Sequence, residues 1–158
     1  MNNLLSKLNN PFWFRTYLFL KLPLAFWAGL KIVTLSHTQS IVSVRYSFLS
    51  KNPFGSIYFA CLSMAAEMST GLPALLAAYS QKPAASMLVV GLKAEFYKKA
   101  VGKILFSCQN TAEIYAAAQK ALDTKQPTTA TAIAVGTSQD GTVVAKFEIT
   151  WSFKHRNA

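Results

Sequence analysis

The twenty residues 52–71, NPFGSIYFACLSMAAEMSTG, set the problem the rest of the chain has to solve, because they place one carboxylate, Glu67, inside an otherwise apolar helix. No Asp or Glu precedes it, although Lys7, Arg15, Lys21, Lys31, Arg45 and Lys51 do, so it is not part of a solvated acidic face. At helical spacing Ser56, Ala60, Ser63 and Gly71 share the side of Glu67, while Ile57, Cys61, Met64, Ala65, Met68, Leu72 and Leu75 supply apolar bulk. Small side chains beside an acid let a ligand or another backbone come close. A carboxylate withdrawn from water holds its proton more tightly, which moves it toward the range of a useful base. Two readings follow: a working base, or an acid that caps a backbone group or pairs with a lysine.

The chain of 158 residues is expected to form one domain, 1–158, large enough for its own core. With 52% apolar and 14% charged residues it does not have a disordered composition. A net charge of +10 points to an anionic partner, a nucleic acid, a membrane surface or a phosphorylated small molecule, and nucleic acid is the weakest of the three, since the cations come in ones and twos without an Arg-rich run. Cys61 and Cys108 form no CxxC pair and read as small core residues of a reducing compartment, the cytoplasm. With His37 and His155 in a turn and a tail, no metal site, no Ser/His/Asp set and no Cys/His set is expected. No GxGxxG or Walker loop is present.

Residues 4–30, with an apolar helical segment at 4–29, include PFWFRTYLFLKLPLAFWAGL, whose apolar runs are broken by Arg15, Lys21 and Pro23, so a membrane span and a signal peptide are both rejected. One or two short helices, around 10–20 and 24–29, are expected to cover the sheet or the mouth of a pocket. An interfacial membrane helix is the alternative. Residues 30–36 and 41–48 are rich in β-branched side chains and read as a hairpin across SHTQS. The central helix is expected from Ser56 to Gly71, bent or restarted by Gly71 and Pro73 before Tyr79.

After the loop SQKPAAS, residues 87–97 read as a strand with Leu88, Val90, Leu92, Ala94 and Phe96 on one face. Gly91, Lys93, Glu95 and Tyr97 share the other face, where Glu95 should pair with a neighbouring cation. Residues 103–108 follow as a strand, and Asn110 with Glu113 has capping-box spacing before a helix to Asp123 that buries Ile114, Ala118 and Leu122. Residues 128–137 and 142–153 form a hairpin across Asp140 and Gly141, with Val143, Ala145, Phe147, Ile149, Trp151 and Phe153 on one side. The tail, 154–158, reads as disordered.

A hairpin, a long helix and a run of antiparallel strands make the element order of an α+β hot-dog fold, a curved antiparallel sheet wrapped around a long central helix. Asn52, Gly55 and Glu67 stand at the spacing of the Asn, the Gly and the catalytic acid of the PaaI-like hot-dog thioesterases. The chain most resembles the DUF4442 or YiiD-C-like branch, in the apolar N-terminal segment, the Gly-Ser-Ile run into the helix and the strand ending EFYKKAVG. The resemblance spans about 11–153. It departs at Tyr58, Phe59 and Ala60, where many relatives have His-Gly-Gly, and the missing His argues against the hot-dog dehydratases.

The resemblance implies hydrolysis of an acyl-CoA thioester with no required cofactor. Glu67 would act as general base or, less directly, as nucleophile, and the backbone at Tyr58, Phe59 and Ala60 would hold the oxyanion. Asn52 and Ser63 would orient acid or water, or serve as ordinary loop and helix packing. Lys98, Lys99 and Lys103, with Arg45 and Lys93 as outside candidates, would meet the phosphates of coenzyme A, or stay solvated. The resemblance further implies a homodimer or a dimer of dimers; from the composition no nucleic acid is expected as partner, and a membrane surface, met by the aromatic N-terminal segment and the positive charge, is the lesser alternative. Non-catalytic acyl or acyl-CoA binding is the rival reading, motivated by the bulk of Tyr58 and Phe59.

Overall fold

Alternate residues of the last strand, Ala145, Phe147, Ile149, Trp151 and Phe153, are almost wholly shielded from solvent, and this buried row is the floor on which the rest packs. A computed structural model describes residues 2–80 and 84–155. Helices α1 (Asn2–Asn9), α2 (Pro11–Lys21) and α3 (Pro23–Trp27) lead into strands β1 (Lys31–Leu35) and β2 (Ser40–Arg45). Helix α4 (Phe59–Ala78) follows, then β3 (Ala85–Phe96), β4 (Lys103–Cys108), α5 (Thr111–Thr124), β5 (Thr128–Thr137) and β6 (Val143–His155).

The six strands form one antiparallel sheet in the order β1-β2-β4-β5-β6-β3. The sheet curves so that α4 touches β2, β3, β4, β5 and β6. Among the strands, β5 and β6 form the expected hairpin, and Gly141 takes the positive φ of 84° that its turn requires. Asp140 accepts from the N–H of Thr142 and the hydroxyl of Ser138, which hold its carboxyl down at about 2. By length and hydropathy α4 could cross a membrane, yet 67% of that window is buried inside the protein.

Several local expectations are corrected. The helix does not start at Ser56: Lys51 bridges Ile57 and the N–H of Tyr58 donates to Ser50, so residues 52–57 form a turn and the helix begins at Phe59. Nor is it broken at Gly71 and Pro73. It continues to Ala78 because Leu72, Pro73, Ala74, Leu76, Ala77 and Ala78 are all buried, so packing overrides the missing N–H of proline.

In β3 a bulge between Val89 and Gly91 changes the alternation. Leu88 therefore lies opposite Ser152 on the outer face, while Leu92, Ala94 and Phe96 lie opposite Ile149, Phe147 and Ala145 on the inner one. The mixed face is as expected, with Lys93 3.1 Å from Glu95. Asn110 does not cap α5. Its amide donates to Glu113 and to Thr131 O and accepts from Ile133 N–H, which clamps the helix start onto β5.

An additional helix, α1, precedes the expected N-terminal pair, and α3 ends at Trp27. Asn10 caps α2 by accepting from Phe12 and Trp13, with Pro11 at the first helical position. Lys154 and His155 belong to β6, paired with Ser86 and Ala85, so the disordered tail does not begin at 154. Residues 81–83 of the expected loop and 156–158 of the tail lie outside the described residues.

Candidate functional site

Glu67 lies on the third turn of α4 and lines a cavity of about 140 Å³. The other walls come from Phe14, Tyr17 and Leu22 in the N-terminal segment, Met68, Leu72 and Leu75 of α4, and Met87 of β3. This segment thus covers the mouth of a pocket, one of the two roles expected for it. Among the described residues the carboxylate meets no cation and accepts no hydrogen bond. Removal from water alone therefore raises its pKa above the ordinary 4.5. The alternative, an acid that caps a backbone group or pairs with a lysine, has no counterpart here.

Two neighbours give this acid its place. A Cβ at Gly71 would come within 3.1 Å of both Glu67 Oε1 and Trp151 Cζ2, so only glycine leaves the carboxylate its present room. The indole of Trp151 donates to Thr70 Oγ1 at 3.0 Å, and Thr70 donates to the carbonyl of Glu67 at 3.0 Å. This relay ties the turn bearing Glu67 to the sheet. Sequence reasoning put Trp151 on the inner face but missed its partner. The signal was there: a buried indole N–H needs an acceptor, and Thr70 is the one hydroxyl-bearing β-branched residue of α4.

At the start of α4 a second cavity, of about 570 Å³, is lined by Asn52, Tyr58, Phe59, Lys98 and Lys99 among others. Tyr58 occupies the cap position without a side-chain cap bond, so among the described residues the N–H groups of Phe59 and Ala60 have no acceptor. The Phe59 ring leans edge-on toward Phe96, 6.4 Å away, and against Tyr58. Asn52 holds the turn, accepting from the N–H groups of Phe54 and Ser56 and donating to Ile57 O, while Gly55 takes a φ of 74°. Ser63 donates to the carbonyl of Phe59 in its own helix. The bonds of Asn52 and Ser63 thus lie within their own turn and helix.

The chain brings Asn52, Tyr58, Phe59, Lys98 and Lys99 together and leaves Glu67 apart from them. Eight residues of helix, at about 1.5 Å each, separate Phe59 from Glu67 by roughly 12 Å. Lys99 donates to Phe54 O at 3.2 Å. Lys103 is in neither cavity; it lines a third, with Lys31 and Arg45. Both cysteines are free and buried. His37 Nδ1 and the Tyr115 hydroxyl are hydrogen-bonded at 3.1 Å, and burial pushes that phenol up to about 12. Among the described residues no three His, Cys, Asp or Glu side chains come together as metal ligands would.

Comparison with known proteins places the chain. The model of the family described as a domain of unknown function, DUF4442, matches residues 13–153. No curated protein matches in sequence. Of the solved structures, a protein of unknown function from Pseudomonas aeruginosa described as a probable thioesterase superposes with a TM-score of 0.75 at 17% identity, covering 92% of this chain and 97% of that one. A thioesterase candidate from Shewanella oneidensis gives 0.76 at 10% identity, covering 98% and 100%. A protein of unknown function from Chlorobaculum tepidum gives 0.76 at 14% identity, covering 96% and 99%. These likenesses establish the hot-dog fold.

Proposed function

The chain belongs to the DUF4442 family of hot-dog proteins, and from that premise we propose that it hydrolyses an acyl-CoA thioester in the cytoplasm with Glu67 as general base. The observation that carries this reading is a carboxylate in an apolar cavity that, among the described residues, has no cation or hydrogen-bond donor beside it, an arrangement that costs stability and suits a base. Thioesterase descriptions of structural neighbours support the same class of reaction.

In this reading Glu67 takes a proton from water as the water attacks the thioester carbonyl; the tetrahedral intermediate then collapses with cleavage of the C–S bond, and Glu67 returns the proton to the departing thiolate, leaving a free carboxylic acid and coenzyme A. The developing oxyanion is held by the free N–H groups of Phe59 and Ala60, aided by the positive end of the α4 dipole. Because a single chain keeps these groups roughly two helical turns apart, the donors come from a second copy. Strand β3 is a sheet edge with Leu88, Val90 and Leu92 more than half exposed, and pairing of two such edges would cover them. Lys98 and Lys99, in the helix-tip cavity, would then meet the phosphates of coenzyme A. Light scattering at assay concentration should give a dimer or a dimer of dimers, and an active monomer would contradict the two-copy site.

The test is thiol release from short, medium, long and aryl acyl thioesters by the purified chain, with binding of each measured in parallel. Hydrolysis above background of at least one class is expected. Tight binding with no thiol release would favour the second reading, acyl or acyl-CoA binding without hydrolysis, for which the exposed rings of Tyr58 and Phe59 at the helix tip speak.

Gly71→Ala probes the site from the side. Alanine gains about 1 kcal/mol of helix propensity, while the crowding of Trp151 costs about 1–3 kcal/mol, so the melting temperature should move little or fall slightly. The new methyl occupies the space beside Glu67 Oε1, and thiol release should fall about tenfold or more as the base is displaced. An unchanged rate would mean that the carboxylate's present position is not the working one.

A further inference from the structure

A third cavity, of about 310 Å³, shares no lining residue with the two above. Its walls include Lys31, Arg45 and Lys103, with the hydroxyls of Ser43 and Ser47, and it has no acidic residue. The strand register explains why these groups converge. Lys31 lies opposite Ser43 across β1 and β2, Arg45 lies opposite Lys103 across β2 and β4, and Ser43 and Arg45 are two apart on β2, so all four project from one face.

One feature of this cluster goes unexplained by packing. Like charges directly opposite each other on a sheet are destabilising, yet Arg45 and Lys103 are so placed, and among the described residues no carboxylate pairs with them or with Lys31. Ser43, only 4% exposed, lines the same cavity beside the three cations. Three cations beside the hydroxyls of Ser43 and Ser47 match an anion with several acceptor oxygens better than a carboxylate, which a single arginine satisfies.

We propose that the Lys31, Ser43, Arg45 and Lys103 cavity is a phosphate-recognition site, separate from the Glu67 site, that takes a phosphate monoester on a larger molecule. The volume exceeds what a bare phosphate fills, which leaves room for the group that carries it. The site's test reads binding only, so its failure and the failure of the Glu67 reading are distinguishable.

The experiment is calorimetric titration of the full-length chain with inorganic phosphate, at constant ionic strength set with chloride, for the wild type, for Arg45→Gln/Lys103→Gln, and for Lys120→Gln/Lys125→Gln as a charge-matched control. Saturable binding is expected in wild type and control, with an affinity at least about tenfold weaker in the Arg45/Lys103 variant. That variant loses a repulsive pair, so its melting temperature without phosphate should equal or exceed that of wild type, which separates lost binding from lost folding. Equal affinity in all three proteins, or no saturable binding in wild type, overturns the proposal. Two further arms identify the source. Displacement of phosphate by coenzyme A but not by its 3′-dephosphorylated form assigns the site to a soluble nucleotide. Retention on vesicles containing phosphatidic acid, lost in the Arg45/Lys103 variant, assigns it to a lipid headgroup.

Discussion

Glu67→Gln is expected to lower thiol release by at least about a hundredfold, the lower end of what a positioned general base contributes. The substitution keeps the shape and removes only the ability to accept a proton, so acyl-CoA binding should survive it. The same change should make the protein more stable at neutral pH. Burial raises the folded-state pKa of Glu67 above the ordinary 4.5, so the folded chain holds this proton more tightly than the unfolded chain does. Stability from this group is then greatest below the unfolded value and declines as pH rises through the folded one. Glutamine escapes that decline. Thermal melts should show the variant above wild type at neutral pH, with the gap closing on acidification. A variant that is both inactive and less stable at neutral pH would mean that the carboxylate has a structural partner instead.

The second large effect is on the fold. Gly136 of β5 pairs with Phe106 on one side and Ala145 on the other, and a Cβ there would lie 2.6 Å from Phe106 Cε1 and Cζ. Phe106 cannot move aside easily, since it is fully buried and held edge-on by Phe147 with ring centroids 5.6 Å apart. Gly136→Ala should therefore cost about 2 kcal/mol or more through overpacking. For a chain of this size that is a fall of roughly 4–8 °C in melting temperature. Phe106→Leu in the same background should recover part of the loss, because it removes the ring that the methyl strikes. No recovery would place the strain in the β5 backbone.

What the sequence made legible was local or periodic. The lone acid of an apolar helix, the Asp140–Gly141 turn and the alternation along β6 each depend on neighbours within a few residues. So does the spacing of Asn52, Gly55 and Glu67 that carries the family resemblance. What it hid depends on contacts made far along the chain. Helix α4 runs through Pro73 because strands from distant sequence enclose it. The bulge at β3 reverses the side of Leu88 only because the pairing with β6 has one residue to spare. Lys98, Lys99 and Lys103 are near in sequence, yet Gly102 turns the chain with a φ of 73° and sends Lys103 to a different cavity. The same strand register that moved Lys103 away set it opposite Arg45.

The separation of Glu67 from the free N–H groups at the helix tip is legible in sequence as a count of eight residues. Its meaning appears only with the cavities in view. In the proposed reading one chain holds half of each site, the base at one end and the oxyanion donors at the other.

The pH dependence of kcat/KM for the best thioester substrate bears most directly on the account. A base that water has been kept from should lose activity on acidification with a midpoint above 4.5, and Glu67→Gln should lack that limb in its residual rate. A midpoint at or below the ordinary glutamate value, or the same acid limb in the glutamine variant, would contradict the assignment of the reaction to Glu67.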